Sequence, residues 1–357
     1  MESHRNSATN AIGFSLLPSE LIQYIILNLA LPEITRLKSI NKSIASVISD
    51  ENFVRQCNLQ SSSSTWLFIY KKRWHRDSML HGFTDHSDRW FKISIAGLLD
   101  PIIPPGEDLY FLTASGNYFL FALNSSQEVI SVNPMTKTVK KIPPSPLGPR
   151  GTSSWRRSAR ENIGNLPRGN RREDHTIFLS VVNGRNESIL IAVDQSKSNK
   201  PVIVRPRLDL EGNDEGQLAV GFSWGNVIDR LHVYGDGNMM IVRLDSVDDT
   251  NKRSRVLKGV ELWGLSSNGR KWEFSSKVPN DLIEKIKRPY GVIMGCLEER
   301  DGIIRAVLVS NFEGIWDIIW LCYDIGKNQW NWVAIPECKM KGLNMAGITF
   351  SSGLSLS

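Results

Sequence analysis

Leu17-Pro18-Ser19-Glu20-Leu21-Ile22, followed by Ile25, Ile26 and Leu29, then by Asn41-Lys42-Ser43-Ile44 and Val47-Ile48-Ser49-Asp50-Glu51-Asn52-Phe53, decides the fold. Pro18 suits a first helical position, where its missing N–H has no partner in any case, and Glu20 lies in the first turn, where the helix dipole favours an anion. A helix starts here. Leu21, Ile22, Ile25, Ile26 and Leu29 recur at three- and four-residue steps, which sets a wide apolar stripe along one face. A second short helix is predicted after Pro32, with Ile34, Leu37 and Ile40 inward, and a third carries Ile44, Val47 and Ile48. Three short helices in about forty residues are marginal on a core of their own, so their surplus apolar surface calls for a partner.

The pattern resembles the F-box, without a gap. Leu17, Pro18, Leu21, Ile22, Ile25, Ile26, Leu29, Ile34, Arg36, Leu37, Ile40, Lys42, Val47, Ile48, Asp50 and Phe53 fall where that family places the same or a similar residue. The departures are Ala30 for a usual proline, Ser39 for cysteine, Asn41 for serine, Ile44 for tryptophan and Glu51 for proline. The tryptophan is the largest loss, because it removes aromatic area from helix packing. The resemblance implies docking on a Skp-type adaptor and, through it, on the cullin and RING subunits of a ubiquitin ligase. It also implies that Leu17, Pro18, Leu21, Ile25, Leu29, Leu37, Ile40 and Ile44 make the adaptor contact.

The chain has 357 residues, 41% hydrophobic and 22% charged, enough for a small domain and a large one. No apolar run is long enough to cross a bilayer, and Met1–Asn10 is polar, so a soluble intracellular protein of the cytoplasm or nucleus is expected. Cys57, Cys296, Cys322 and Cys338 show no Cys-x-x-Cys spacing and read as buried free thiols in a reducing compartment. The formal charge of +6 has one source. Between Arg150 and Arg172 lie seven arginines and one acid, Glu161, and 7 − 1 = +6.

Residues 1–13 read as a disordered terminus, 14–57 as the F-box, 58–65 as a linker built on Ser61-Ser62-Ser63-Ser64, and 66–357 as β. From Trp66 onward the period becomes two, clearest at Trp66–Tyr70, Tyr118–Leu123, Ile177–Val182, Ile189–Val193, Ile303–Val309 and Ile318–Tyr323. One helix, Asp281–Ile286, interrupts it. A spaced pair repeats: an apolar residue, a polar turn, then seven places on a tryptophan or its substitute. It occurs as Phe83 to Trp90, Val132 to Val139, Leu265 to Trp272 and Tyr323 to Trp330, with weaker versions at Val193 to Val204 and Val233 to Leu244. Each unit is a predicted hairpin.

Six units give a mean period near fifty residues, the spacing of kelch blades. The fold class expected is therefore a small all-α three-helix domain followed by a mainly-β domain, a kelch-like β-propeller of about six blades. The order resembles plant-type F-box/kelch proteins, although no Gly-Gly doublet occurs. The tryptophans are expected in the core.

Pro143–Asp174 breaks the repeat as a basic insertion, read as a solvated loop or as a contact for an acidic partner or import receptor. Nucleic acid is not an expected partner, since one basic loop is a weak footprint. His75, His81 and His86, at gaps of six and five, match no ligand face, so no metal is expected. No phosphate loop, dinucleotide fingerprint or His-Glu-x-x-His occurs, and neither cofactor nor catalysis is expected. The function expected is that of a substrate receptor of a cullin-based ligase, holding an unidentified target protein. A β scaffold with no ubiquitin role and a ring that binds a small molecule are the alternatives.

Overall fold

The computed structural model describes residues 17–62, 64–72, 78–84, 87, 89–104, 107–123, 128–142, 176–182, 188–194, 202–204, 207–208, 230–234, 239–249, 254–265, 271–287, 289–290, 292–336, 340–341, 344–352 and 354–356. The terminus 1–13 and the basic insertion 143–174 lie outside them.

Four helices open the described chain, where three were expected: α1 (Ser19–Leu27), α2 (Leu31–Leu37), α3 (Lys42–Ile48) and α4 (Glu51–Ser62). Each start has a local cause. The Pro18 carbonyl accepts from the Leu21 and Ile22 amides at 3.1 Å, and the Glu33 carboxylate accepts from the Ala30 amide at 3.1 Å. Asn41 Oδ1 accepts from the Ile44 amide at 2.8 Å, and Asp50 Oδ1 accepts from the Asn52 and Phe53 amides at 3.0 Å. The fourth helix carries the chain through the expected linker. Phe53 and Cys57 turn inward from it and are buried.

The described strands form five sheets. The first contains β1 (Thr65–Lys72), β2 (Met79–Thr84) and β3 (Phe91–Ser94), followed by the single turn α5 (Ala96–Leu99). The second is the meander β4 (Leu109–Ser115), β5 (Tyr118–Leu123), β6 (Val129–Asn133) and β7 (Thr138–Ile142). Strands β8 (Thr176–Val182), β9 (Ser188–Asp194) and β10 (Val202–Val204) make the third. The fourth contains β11 (Arg207–Leu208), β12 (Arg230–Tyr234), β13 (Met239–Asp249), β14 (Ser254–Leu265) and β15 (Lys271–Lys277). Past α6 (Asn280–Ile286), β16 (Pro289–Tyr290) pairs with β14. The fifth holds β17 (Val292–Arg300), β18 (Ile303–Phe312), β19 (Ile315–Asp324), β20 (Gln329–Val333) and β21 (Met340–Lys341). Strand β22 (Asn344–Ser352) returns to the first sheet, giving the order β22-β1-β2-β3. Among the described strands all pairs are antiparallel except β11 with β15.

The expected architecture is corrected on two points. First, the helices are not a separate domain: Ile22, Ile26, Ile34, Ile48 and Phe53 share one core with Trp66, Phe68, Phe119 and Phe121 of the first two sheets. Second, a kelch-like propeller of about six blades does not form. The described strands make five sheets of three to six strands, none closed on itself. The miscount has a clear origin. The hairpins β12–β13 and β14–β15 are two sequence units, yet β13 and β14 pair from Met240–Gly264 to Asp249–Ser254, so both units lie in one sheet.

The seven-residue spacing itself is a cross-strand register. Val132 faces Val139, Leu265 faces Trp272 and Tyr323 faces Trp330, while the Phe83 and Trp90 rings lie 5.1 Å apart. Trp272 and Trp330 are buried and Trp90 partly so, as core tryptophans should be. Two further cores join neighbouring sheets. Leu67, Ile69 and Phe83 of the first sheet meet Val307, Val309 and Trp320 of the fifth, and Val242 and Leu262 of the fourth meet Ile304, Leu308 and Leu321 of the fifth.

Candidate functional site

Helix α1 is apolar on two sides, and only one of them is covered. Ile22 and Ile26, four residues apart, are 7% and 1% exposed and enter the shared core. Leu21, Tyr24 and Ile25, at three- and four-residue steps on the adjoining face, remain 49%, 68% and 42% exposed. Pro18, one turn earlier, is exposed as well. Burial of the inner pair holds the helix, so the outer side chains stand on a fixed support. Ile40, just past α2, and Leu59 on α4 are also exposed. Five of the twelve exposed large hydrophobic residues found among the described residues thus fall within residues 17–62.

The eight residues expected at the adaptor contact therefore divide. Pro18, Leu21, Ile25 and Ile40 face solvent. Leu17, Leu29 and Leu37 are half-buried and pack against the core. Ile44 is 9% exposed and belongs to the core itself, on the inner face of α3 with Ile48. Tyr24 was not in the expected set. Its position among Leu21 and Ile25 in the helical repeat is the signal that could have found it.

The helices are tied to the sheets by directed contacts. The Arg36 guanidinium donates to the Lys92 carbonyl on β3 at 2.6 Å, the Thr35 hydroxyl donates to the Leu31 carbonyl at 2.9 Å and lies 3.3 Å from the Met135 sulfur, and Arg89 pairs with Glu33. The ion pair is partly exposed and fixes geometry more than it adds stability. At the far end, Asn58 of α4 holds Leu356 through both main-chain groups.

Among the described residues little elsewhere suggests reactive chemistry. Among the described residues no cluster of three His, Cys, Asp or Glu is placed to hold a metal; His75 and His86 lie outside them. His81, on β2, has its pKa held down to about 4, by burial first and then by the charges of Lys71 and Lys92. Cys57 is buried, Cys296 and Cys322 are partly buried, and burial pushes the Cys57 and Cys296 thiols up. Cys338 falls outside the described residues. A cleft of about 490 Å³ lies between Lys277, Pro279 and Asp281 on one side and Asn328 and Gln329 on the other. Trp330, which also lines it, is fixed by an indole N–H donated to Ser276 Oγ at 2.9 Å. Among the described residues no helix is long and apolar enough to cross a membrane.

No protein-family model matches the chain, and no curated protein matches it. Among solved structures it is similar to TolB from Acinetobacter baumannii, at 8% identity and a TM-score of 0.36, over 81% of this chain and 58% of that one. The chain thus spans little more than half of TolB. It is also similar to a chain of a nidogen/laminin complex, at 9% identity and a TM-score of 0.32, over 82% of this chain and 100% of that one. Apo AztD from Citrobacter koseri matches at 10% identity and a TM-score of 0.28, over 80% of this chain and 97% of that one. Likeness at these scores carries no argument about function.

Proposed function

We propose that this chain is a protein-binding receptor whose helices dock on a Skp-type adaptor of a cullin-based ubiquitin ligase while its sheets hold a target protein. One observation carries the reading: α1 buries Ile22 and Ile26 in its own core yet leaves Leu21, Tyr24 and Ile25 open beside them. Water contact with three large apolar side chains on one rigid helix face is unfavourable, and a second polypeptide relieves it. The F-box resemblance of residues 17–53 supplies the identity of that polypeptide. Such a receptor works by placement, raising the local concentration of target near the ubiquitin-conjugating enzyme, and needs no reactive group of its own.

The test is co-purification of the full chain with adaptor and cullin. A stable complex supports the proposal, and a folded chain that captures neither subunit refutes it. Capture of a different partner through the same helix face, with adaptor and cullin absent, supports the scaffold reading instead.

A further inference from the structure

We propose that the groove between α4 and the β4–β5 turn is a peptide-reading site, filled in this structure by residues 354–356 and able to take an extended peptide with leucines two positions apart. Asn58 on α4 accepts from the Leu356 amide at 2.7 Å and donates to its carbonyl at 3.2 Å. Asn117, in the β4–β5 turn, accepts from the Ser355 amide at 2.9 Å and donates to its carbonyl at 2.7 Å and its hydroxyl at 3.0 Å. Two side-chain amides thus satisfy both main-chain groups of two successive residues, as strands on the two edges of an extended segment do. Asn117 is only 7% exposed, so its amide is committed to this segment.

Leu354 and Leu356 are buried and Ser355 between them is half-buried, the alternation of an extended segment with one face down. Main-chain bonds hold any sequence, and the two buried side chains select leucine at alternate positions.

The test uses the full chain carrying Leu354→Ser and Leu356→Ser, which empties the groove of its own leucines, and a fluorescent peptide Gly-Leu-Ser-Leu-Ser. Saturable binding is expected, weakened at least about tenfold by adding Asn117→Ala. The unaltered chain should bind none, because its tethered segment competes at an effective concentration of about millimolar. No saturable binding to the folded variant, or binding indifferent to Asn117→Ala, overturns the proposal. Should the double variant not fold, Asn58→Ala in the unaltered background decides. Amide exchange at Leu356 must then rise about tenfold with β18 unchanged, and equal or global acceleration overturns the site.

Discussion

Replacing Leu21, Tyr24 and Ile25 together by alanine separates a docking role from a structural one. Full burial of a large aliphatic side chain is worth about 1.5–3 kcal/mol. Leu21 and Ile25 retain roughly half of their surface and Tyr24 about two thirds, so association can recover about 1 kcal/mol from each. The triple change should cost about 3 kcal/mol of binding, roughly a hundredfold in Kd. Folding stability should hardly move, because exposed helix positions shift it by about 0.5 kcal/mol or less each and alanine is a strong helix former. Ile26→Ala, one residue from Ile25 but buried, should do the opposite, with about 2–5 kcal/mol lost from folding. Titration calorimetry with the adaptor and urea unfolding read the two quantities. Equal loss of stability from both faces, or unaltered affinity for the triple variant, refutes the division of α1 into a core side and a docking side.

Three further outcomes follow from packing and electrostatics. Gly347 on β22 has φ of +145°, and a Cβ there would clash with the Phe111 carbonyl oxygen on β4, so Gly347→Ala should cost about 3 kcal/mol; Gly97→Ala, with open space around it, should change the urea midpoint little. The unfolded chain protonates His81 near 6.5 and the folded chain only near 4, so stability falls as pH drops through that window. His81→Gln should flatten the difference between urea midpoints at about pH 7 and about pH 5, and equal pH dependence in both proteins contradicts this. Asn41→Ala removes the side-chain acceptor at the start of α3 and should cost about 1 kcal/mol in thermal unfolding, with Asn41→Ser recovering most of it.

The local grammar of this chain was legible and its assembly was not. The seven-residue spacing predicted hairpins because two strands joined by a short turn bring residues at that separation face to face, as Tyr323 and Trp330 show. Spacing cannot report which hairpins then share hydrogen bonds, so the pairing of β13 with β14 merged two units into one sheet. The four serines at 61–64 read as a joint from composition, whereas Ser61 and Ser62 end α4, a helix capped by Asp50 and held at Asn58 by Leu356, hundreds of residues away in sequence. The apolar stripe of α1 was visible, but Leu21 and Ile22 are chemically alike. Only the position of the sheets decides which of them is covered. Ile44 illustrates the same limit, since a family position says where a residue lies in a helix and not how far that helix is turned into its own core.

Side-chain oxidation by hydroxyl radicals, read residue by residue for the chain alone and with the adaptor bound, addresses the docking face most directly. Oxidation of Leu21, Tyr24 and Ile25 should fall sharply in the complex while exposed Tyr118 and Phe274 react as before. A complex in which Tyr24 is oxidised as fast as in the free chain contradicts the assignment of that face.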